Sequence, residues 1–156
     1  MRKKSYFILV FLLLLSLQLY GQNAIGLRFG ATGAEVSFQT NKLFPNRLEL
    51  DAGWGWNTNW HNCNFTGIYQ WVFPIESGFY WYVGPGAALG FWNYIGKYPD
   101  DHRGGVSIAI VLNGGAEYNF SEIPLQVSMD LRLTPYLIHR GNAYWFDLGI
   151  SARYLF

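Results

Sequence analysis

Apolar and polar residues alternate with a period of two through most of the chain, and eight segments carry the pattern. The clearest is 143–156, AYWFDLGISARYLF. There Tyr144, Phe146, Leu148, Ile150, Ala152, Tyr154 and Phe156 share one parity, while Asp147, Gly149, Ser151 and Arg153 share the other. Successive side chains of a strand point to opposite faces, so this segment presents an aromatic-ended apolar stripe on one side and charge on the other. Segment 47–56 is nearly as regular, with Leu48, Leu50, Ala52, Trp54 and Trp56 against Arg47, Glu49 and Asp51. Segment 124–134 sets Leu125, Val127, Met129, Leu131 and Leu133 against Gln126, Ser128, Asp130, Arg132 and Thr134.

The other five segments are 24–30, 34–40, 64–73, 79–92 and 105–120. In the first two, Ile25, Leu27, Phe29, Val36 and Phe38 oppose Arg28, Glu35, Ser37 and Gln39. In the third, Phe65, Tyr69, Trp71 and Phe73 oppose Thr66 and Gln70. In the fourth, Phe79, Trp81, Val83, Leu89 and Phe91 oppose Gly84, Gly86 and Gly90, and in the last an apolar face runs from Val106 to Phe120. Apart from the short first two, the segments approach the about 9–11 residues with which a tilted strand crosses a bilayer. Pro85 cannot donate to a strand ladder, which predicts a bulge or local break around residues 84–86.

The intervening lengths predict two unlike ends. Short turns fall at 41–46, 74–78 and 121–123, and the connections at 57–63, 93–104 and 137–142 are longer, with a tight one at 31–32. Aromatic residues gather at two levels: Trp54, Trp56, Phe65, Phe91 and Trp92 towards the long connections, and Phe38, Phe73, Phe79, Phe120 and Phe156 towards the short turns. Two aromatic girdles, short turns inside and longer loops outside are the signature of an outer-membrane barrel with both termini in the periplasm.

The start of the chain agrees with export. Arg2, Lys3 and Lys4 precede nine uninterrupted apolar residues, 7–15, and a short stretch ending at Gly21. This reads as a cleavable signal peptide over residues 1–21, since the apolar run is well short of the about 20 residues of a membrane-spanning helix. The rest, 22–156, is one domain. The leader holds three of the eleven Lys and Arg and none of the ten Asp and Glu, so the remainder carries eight against ten, a net charge of −2. Nothing there calls for nucleic acid. The single cysteine, Cys63, excludes an internal disulfide, and it lies too far from the leader to carry a lipid anchor.

An exported chain with 19% aromatic residues and no second long apolar run can enter a membrane only as a closed barrel, where every backbone group is paired between strands. A soluble lipocalin-type barrel is the rival. It would have to pack the Trp and Tyr residues into a narrow centre and leave Arg and Glu outside. The stretches RLELDAGWGW, WYVGPGAALGFW, EYNFSEIPLQVSMDLR and GISARYLF resemble small eight-stranded outer-membrane β-barrels of OmpA or OmpX type and the outer-membrane β-barrel proteins of many Gram-negative genomes. The resemblance covers nearly all of 23–156. It implies an all-β, eight-stranded antiparallel up-and-down transmembrane barrel in the cell outer membrane, surrounded by outer-membrane lipid. It implies location and fold more than activity. The strand ending at Phe156 is the expected signal for the barrel-assembly machinery.

Ten charges fall on the inward parity: Arg28, Glu35, Arg47, Glu49, Asp51, Glu117, Asp130, Arg132, Asp147 and Arg153. All the inward bases are arginine, whose planar fork suits a crowded carboxylate network. Hairpin register pairs Arg28 with Glu35 and Arg132 with Asp147. These groups read as a plug filling a narrow lumen. Alternatively, with six carboxylates against four arginines, one or two lack a cation and line a path for a small solute, making the protein a narrow channel or carrier. The loop 93–104 offers interaction candidates in Tyr94, Tyr98, Asp100, Asp101, His102 and Arg103, since Tyr and Arg favour recognition surfaces. A third reading is a lipid A-modifying enzyme using His139, Asp101 and Ser107, but no spacing enforces a nucleophile, base and orienting group. No pair among His61, His102 and His139 has metal-ligand spacing, and the glycines 84, 86 and 90 precede no helix that could take a phosphate. The reading is therefore non-enzymatic, without metal or cofactor: an envelope protein with a structural or surface-interaction role through its loops.

Overall fold

The structure is a computed structural model describing residues 23–31, 33–41, 46–56, 60–94, 103–138 and 145–156; the proposed leader lies outside them. Among the described residues nine strands follow one another: β1 (Ala24–Gly30), β2 (Gly33–Thr40), β3 (Arg47–Trp56), β4 (Trp60–Glu76), β5 (Phe79–Tyr94), β6 (Arg103–Asn119), β7 (Leu125–Leu133), β8 (Tyr136–Ile138) and β9 (Phe146–Leu155). Each pairs antiparallel with its neighbours, β5 with β6 and β1 with β9, so the sheet closes on itself. β7 and β8 lie on the same flank of β6 and are one strand interrupted at Thr134–Pro135, so the ring is an eight-stranded barrel. Closure is sealed where Asn23 and Phe156 exchange backbone hydrogen bonds at 3.0 and 2.9 Å.

The barrel is staggered. Following the rungs from Phe29 one way, through Ala34, Trp54, Cys63 and Phe91, leads to Val106 on β6. The other way, through Ile150 and Met129, leads to Ala116. The two arrivals are ten residues apart, 106 against 116, and such a stagger is what tilts the strands of a closed barrel.

Parity decides what faces outward. Leu27, Phe29, Leu50, Trp54, Phe65, Trp71, Trp81, Leu89, Ile110, Met129, Leu148 and Ile150 are exposed on the outside. The ten inward charges are all buried. The exterior is thus apolar and the interior polar, which overturns the lipocalin arrangement. At the end carrying the termini, Phe73 stacks on Trp81 at 4.6 Å, and Phe79, Tyr118 and Phe120 form a chain of rings at 4.4 and 4.8 Å.

Several local expectations are corrected. β4 runs from Trp60 to Glu76 rather than 64–73, so the turn beyond it shrinks to residues 77–78, with Gly78 at a φ of 83°. Pro74 sits inside the strand beside a register shift, between Pro74 and Glu76, and a second shift falls between Ile108 and Ala109 where β6 meets β8. Around Pro85 the register with β6 is unbroken, while the rungs to β4 at Tyr69 and Gln70 are missing without a shift: a local break, not a bulge. The cause is the absent proline N–H, together with Gly84, whose backbone lies so near the Tyr69 carbonyl that a β-carbon would overlap it. The seventh segment also outlasts its expected end: Pro135 interrupts it, accepts from Ile110 N at 3.1 Å, and the strand resumes at Tyr136. Among the described residues the eighth runs from Phe146, after a bend at Trp145; 143–144 lie outside them.

Candidate functional site: the charged lumen

Every strand around the ring except β4, β5 and the short β8 sends a charged side chain inward. Arg28 reaches three carboxylates: Asp130 through a two-bond fork, Nε to Oδ2 at 3.0 Å and Nη2 to Oδ1 at 2.7 Å, Asp147 at 2.7 Å and Glu35 at 3.2 Å. Arg132 reaches across from β7 to β2 and β3, donating to Glu35 at 2.9 Å, Glu49 at 2.8 Å and Asp51 at 2.7 Å. Its Nε also lies 3.5 Å from Asp130. The guanidinium suits this work because it offers five donors in a fixed plane.

Nearer the termini, the network changes partners. Arg153 donates to Ser37 at 2.9 Å and Ser128 at 2.8 Å and lies 3.3 Å from Glu49. Arg47 pairs with Glu117 at 2.7 Å, donates from Nε to Gln70 at 2.7 Å, and lies 4.8 Å over the Tyr82 ring. Gln70 and Gln39 hold Glu49 at 3.2 and 2.6 Å, and Gln70 also donates to Asn113 at 2.9 Å. All six inward carboxylates therefore lie within 3.5 Å of an arginine, despite being two more numerous than the arginines. The expectation that one or two lack a cation is not met, because Arg28 and Arg132 each serve several.

Of the two hairpin pairs expected, Arg28–Glu35 forms. Arg132 and Asp147 are register partners, but the ion pair that Asp147 makes at 2.7 Å is with Arg28. Sequence reasoning missed Tyr82, which turns inward fully buried over Gly115, where a β-carbon would come within 2.7 Å of the phenol. Its parity with Gly84 and Gly86 was the available signal. Ile68 and Val111 are buried inside too, an apolar patch in the polar filling. The same size matching places the Arg28 guanidinium against Gly149.

Trp92, expected in the outer girdle, turns inward over Gly105, whose β-carbon would lie 2.9 Å from the indole. Of the loop candidates, Tyr94 ends β5, paired with Trp60 and with the backbone of Arg103 on β6, while Tyr98, Asp100, Asp101 and His102 lie outside the described residues. His139 lies outside them as well, and Ser107 on β6 is the register partner of Gly90 on β5, its hydroxyl beside that glycine. His61 is exposed on β4, and Cys63 is exposed and free.

An apolar exterior closed around a charged, hydrogen-bonded interior defines a transmembrane β-barrel of the small eight-stranded class. The solved structures it resembles are outer-membrane barrels. The N-terminal β-barrel domain of Pseudomonas aeruginosa OprF matches with a TM-score of 0.62 at 17% identity, over 86% of this chain and 96% of that one. Neisserial surface protein A matches at 0.58 and 13% identity, over 87% and 94%. Ail, the attachment invasion locus protein of Yersinia pestis, matches at 0.54 and 11%, over 88% and 100%. The likeness is one of fold. No protein-family model matches the chain, and no curated protein matches it in sequence.

Proposed function

We propose that the protein is an integral outer-membrane barrel whose lumen is plugged, that both termini lie in the periplasm, and that it acts non-enzymatically through its outer loops, in a structural or surface-interaction role. The observation that carries this reading is the network itself. Arginines from β1, β3, β7 and β9 tie carboxylates from β2, β3, β6, β7 and β9 across the lumen, and an eight-stranded interior is just wide enough for such side chains to fill. A catalytic role would need a nucleophile and base within reach of lipid, and the groups gathered here are arginine-bound carboxylates. The fold shared with OprF, neisserial surface protein A and Ail supports the location.

The test is electrical and topological. Purified protein in planar bilayers should give no single-channel steps, and on a Cys63→Ser background a membrane-impermeant thiol reagent should label a cysteine placed in 95–102 on intact cells. Regular conductance steps would replace this reading with the narrow channel. Protection of 95–102 would invert the topology. Altered lipid A masses in cells making the protein, lost in His139→Ala, would restore the enzyme. Insertion by the barrel-assembly machinery through the strand ending at Phe156 belongs to the same proposal, and Phe156→Ala should slow assembly in cells.

A further inference from the structure

The wall of the barrel is far from level, and the difference lies at the end opposite the termini. The β1–β2 hairpin closes at the Gly30–Gly33 rung, with Gly33 at a φ of 121° and Ala31 in a turn. The ten-residue stagger, spread over eight strands, puts the level of Phe29 at about residue 86 on β5 and about residue 112 on β6. Above that level β1 has one more residue before its turn, whereas β5 continues to Tyr94 and β6 to Arg103. At the other end the strands finish nearly together, Ala24 lying five residues below Phe29 and Phe79 about seven below residue 86.

In length, the seven residues of β1 rise about 17 Å along a tilted barrel and the sixteen of β5 about 40 Å. An outer-membrane apolar band is about 25 Å tall. The β1–β2 hairpin therefore falls about 8 Å short of crossing it.

Two features of the rim forbid hydrocarbon from covering that deficit. First, lipid-exposed irregular backbone does not occur within the hydrocarbon region, so the turn at Ala31 must lie at its surface. Second, the parts of β4 and β6 that rise above the hairpin turn a polar inner face over it, carrying Asn62, Asn64 and Ser107, with Asp147 just below, bonded to Ala31 N at 2.5 Å. On the opposite flank the same height is apolar: Leu89, Phe91, Val106 and Ile108 are each 37–45% exposed on the outward parity. A rigid tilt cannot reconcile the two flanks, because lowering the membrane surface at one end of β1 would strand its nearly level other end.

We propose that the β9–β1–β2 flank is a membrane-thinning seam, where the leaflet at the loop end descends to the Ala31 turn while standing about 15–20 Å higher against β5 and β6. Its occupant is bilayer lipid with shortened or disordered chains. The inference rests on membrane insertion, and the experiment separates the two. Spin labels are placed at Phe29, Ala87 and Phe91 on a Cys63→Ser background, with heat-dependent gel mobility confirming that each variant folds. Depth is read in phosphatidylcholine vesicles from collisions with oxygen and a water-soluble nickel complex. Phe29 and Ala87 share a level on the barrel, so an even bilayer places their labels at one depth, and that result overturns the seam. The seam requires the Phe29 label to match Phe91 near the interface, with Ala87 about 10 Å deeper. All three labels in water would overturn membrane insertion and the seam with it.

Discussion

Arg28 donates from Nη1 to Oδ2 of Asp147 at 2.7 Å, although the residue level with Asp147 on the neighbouring strand is Arg132. The ion pair runs from β9 to β1, along the seam that closes the ring. Arg28 also holds Asp130 and Glu35, so it ties β1 to β2, β7 and β9. Arg28→Ala would leave three buried carboxylates with fewer cations, and breaking a buried pair from one side costs about 3–5 kcal/mol. Asp147→Asn keeps the size and removes only one charge, and should cost about 1–2 kcal/mol. Urea unfolding in lipid vesicles, followed by tryptophan fluorescence, measures both; equal costs would show that Arg28 acts through Asp147 alone.

Arg132 Nη2 is shared by Glu49 at 2.8 Å and Asp51 at 2.7 Å, and this crossing of the lumen is the plug's centre. Arg132→Ala removes the bar and leaves Glu35, Glu49 and Asp51 facing a gap that water will fill. The variant should show small cation-selective conductance steps where the unaltered protein shows none. Arg132→Lys should remain silent or nearly so, since one ammonium still satisfies the local charge but cannot serve every partner. Steps in neither variant would mean that the gap collapses.

Much of this was legible in the sequence because one physical rule governs each strand residue: lipid on one side, a narrow polar lumen on the other. Parity alone placed Arg28, Glu49, Asp130 and Arg153 inside. It could not place their partners, because a guanidinium reaches across the ring and the ring's stagger is set only by closure. The ends of β4, β5 and β6 were hidden for a different reason. His61, Asn62 and Cys63 look like loop, and they are strand residues because paired neighbours, not local propensity, hold them there. Trp92 misled because an aromatic near a strand end suits either the girdle or a glycine-made space inside, and Gly105, thirteen residues further on and its register partner on β6, decides it.

Glycine positions give a prediction about size. A β-carbon at Gly149 would overlap the guanidinium of Arg28, which is fully buried and held by three carboxylates, so the side chain has nowhere to go. Gly149→Ala should destabilise the barrel by about 1–3 kcal/mol through overpacking. At Gly67, which faces outward, the nearest atom is Leu50 Cδ2 at 3.5 Å, an ordinary contact. Gly67→Ala should be nearly neutral. Comparable losses at both positions in vesicle unfolding would trace the effect to backbone flexibility rather than to the space occupied by Arg28.

The apolar exterior gives the sharpest difference between a barrel in lipid and one in water. Val83 is 42% exposed on β5, between Trp71 and Gly114 and well inside the outward apolar face. If that face meets hydrocarbon, Val83→Arg places a charge near the middle of the bilayer, at a cost of about 2–4 kcal/mol. Ile123 is 50% exposed as well, but it lies in the turn before β7, beyond the strands at the termini end. Ile123→Arg should cost well under about 1 kcal/mol, as charges near the interface do. The two substitutions have the same chemistry and similar starting exposure, so only their depth separates them. Equal, small effects on vesicle unfolding would place both residues in water and remove the lipid from around the barrel.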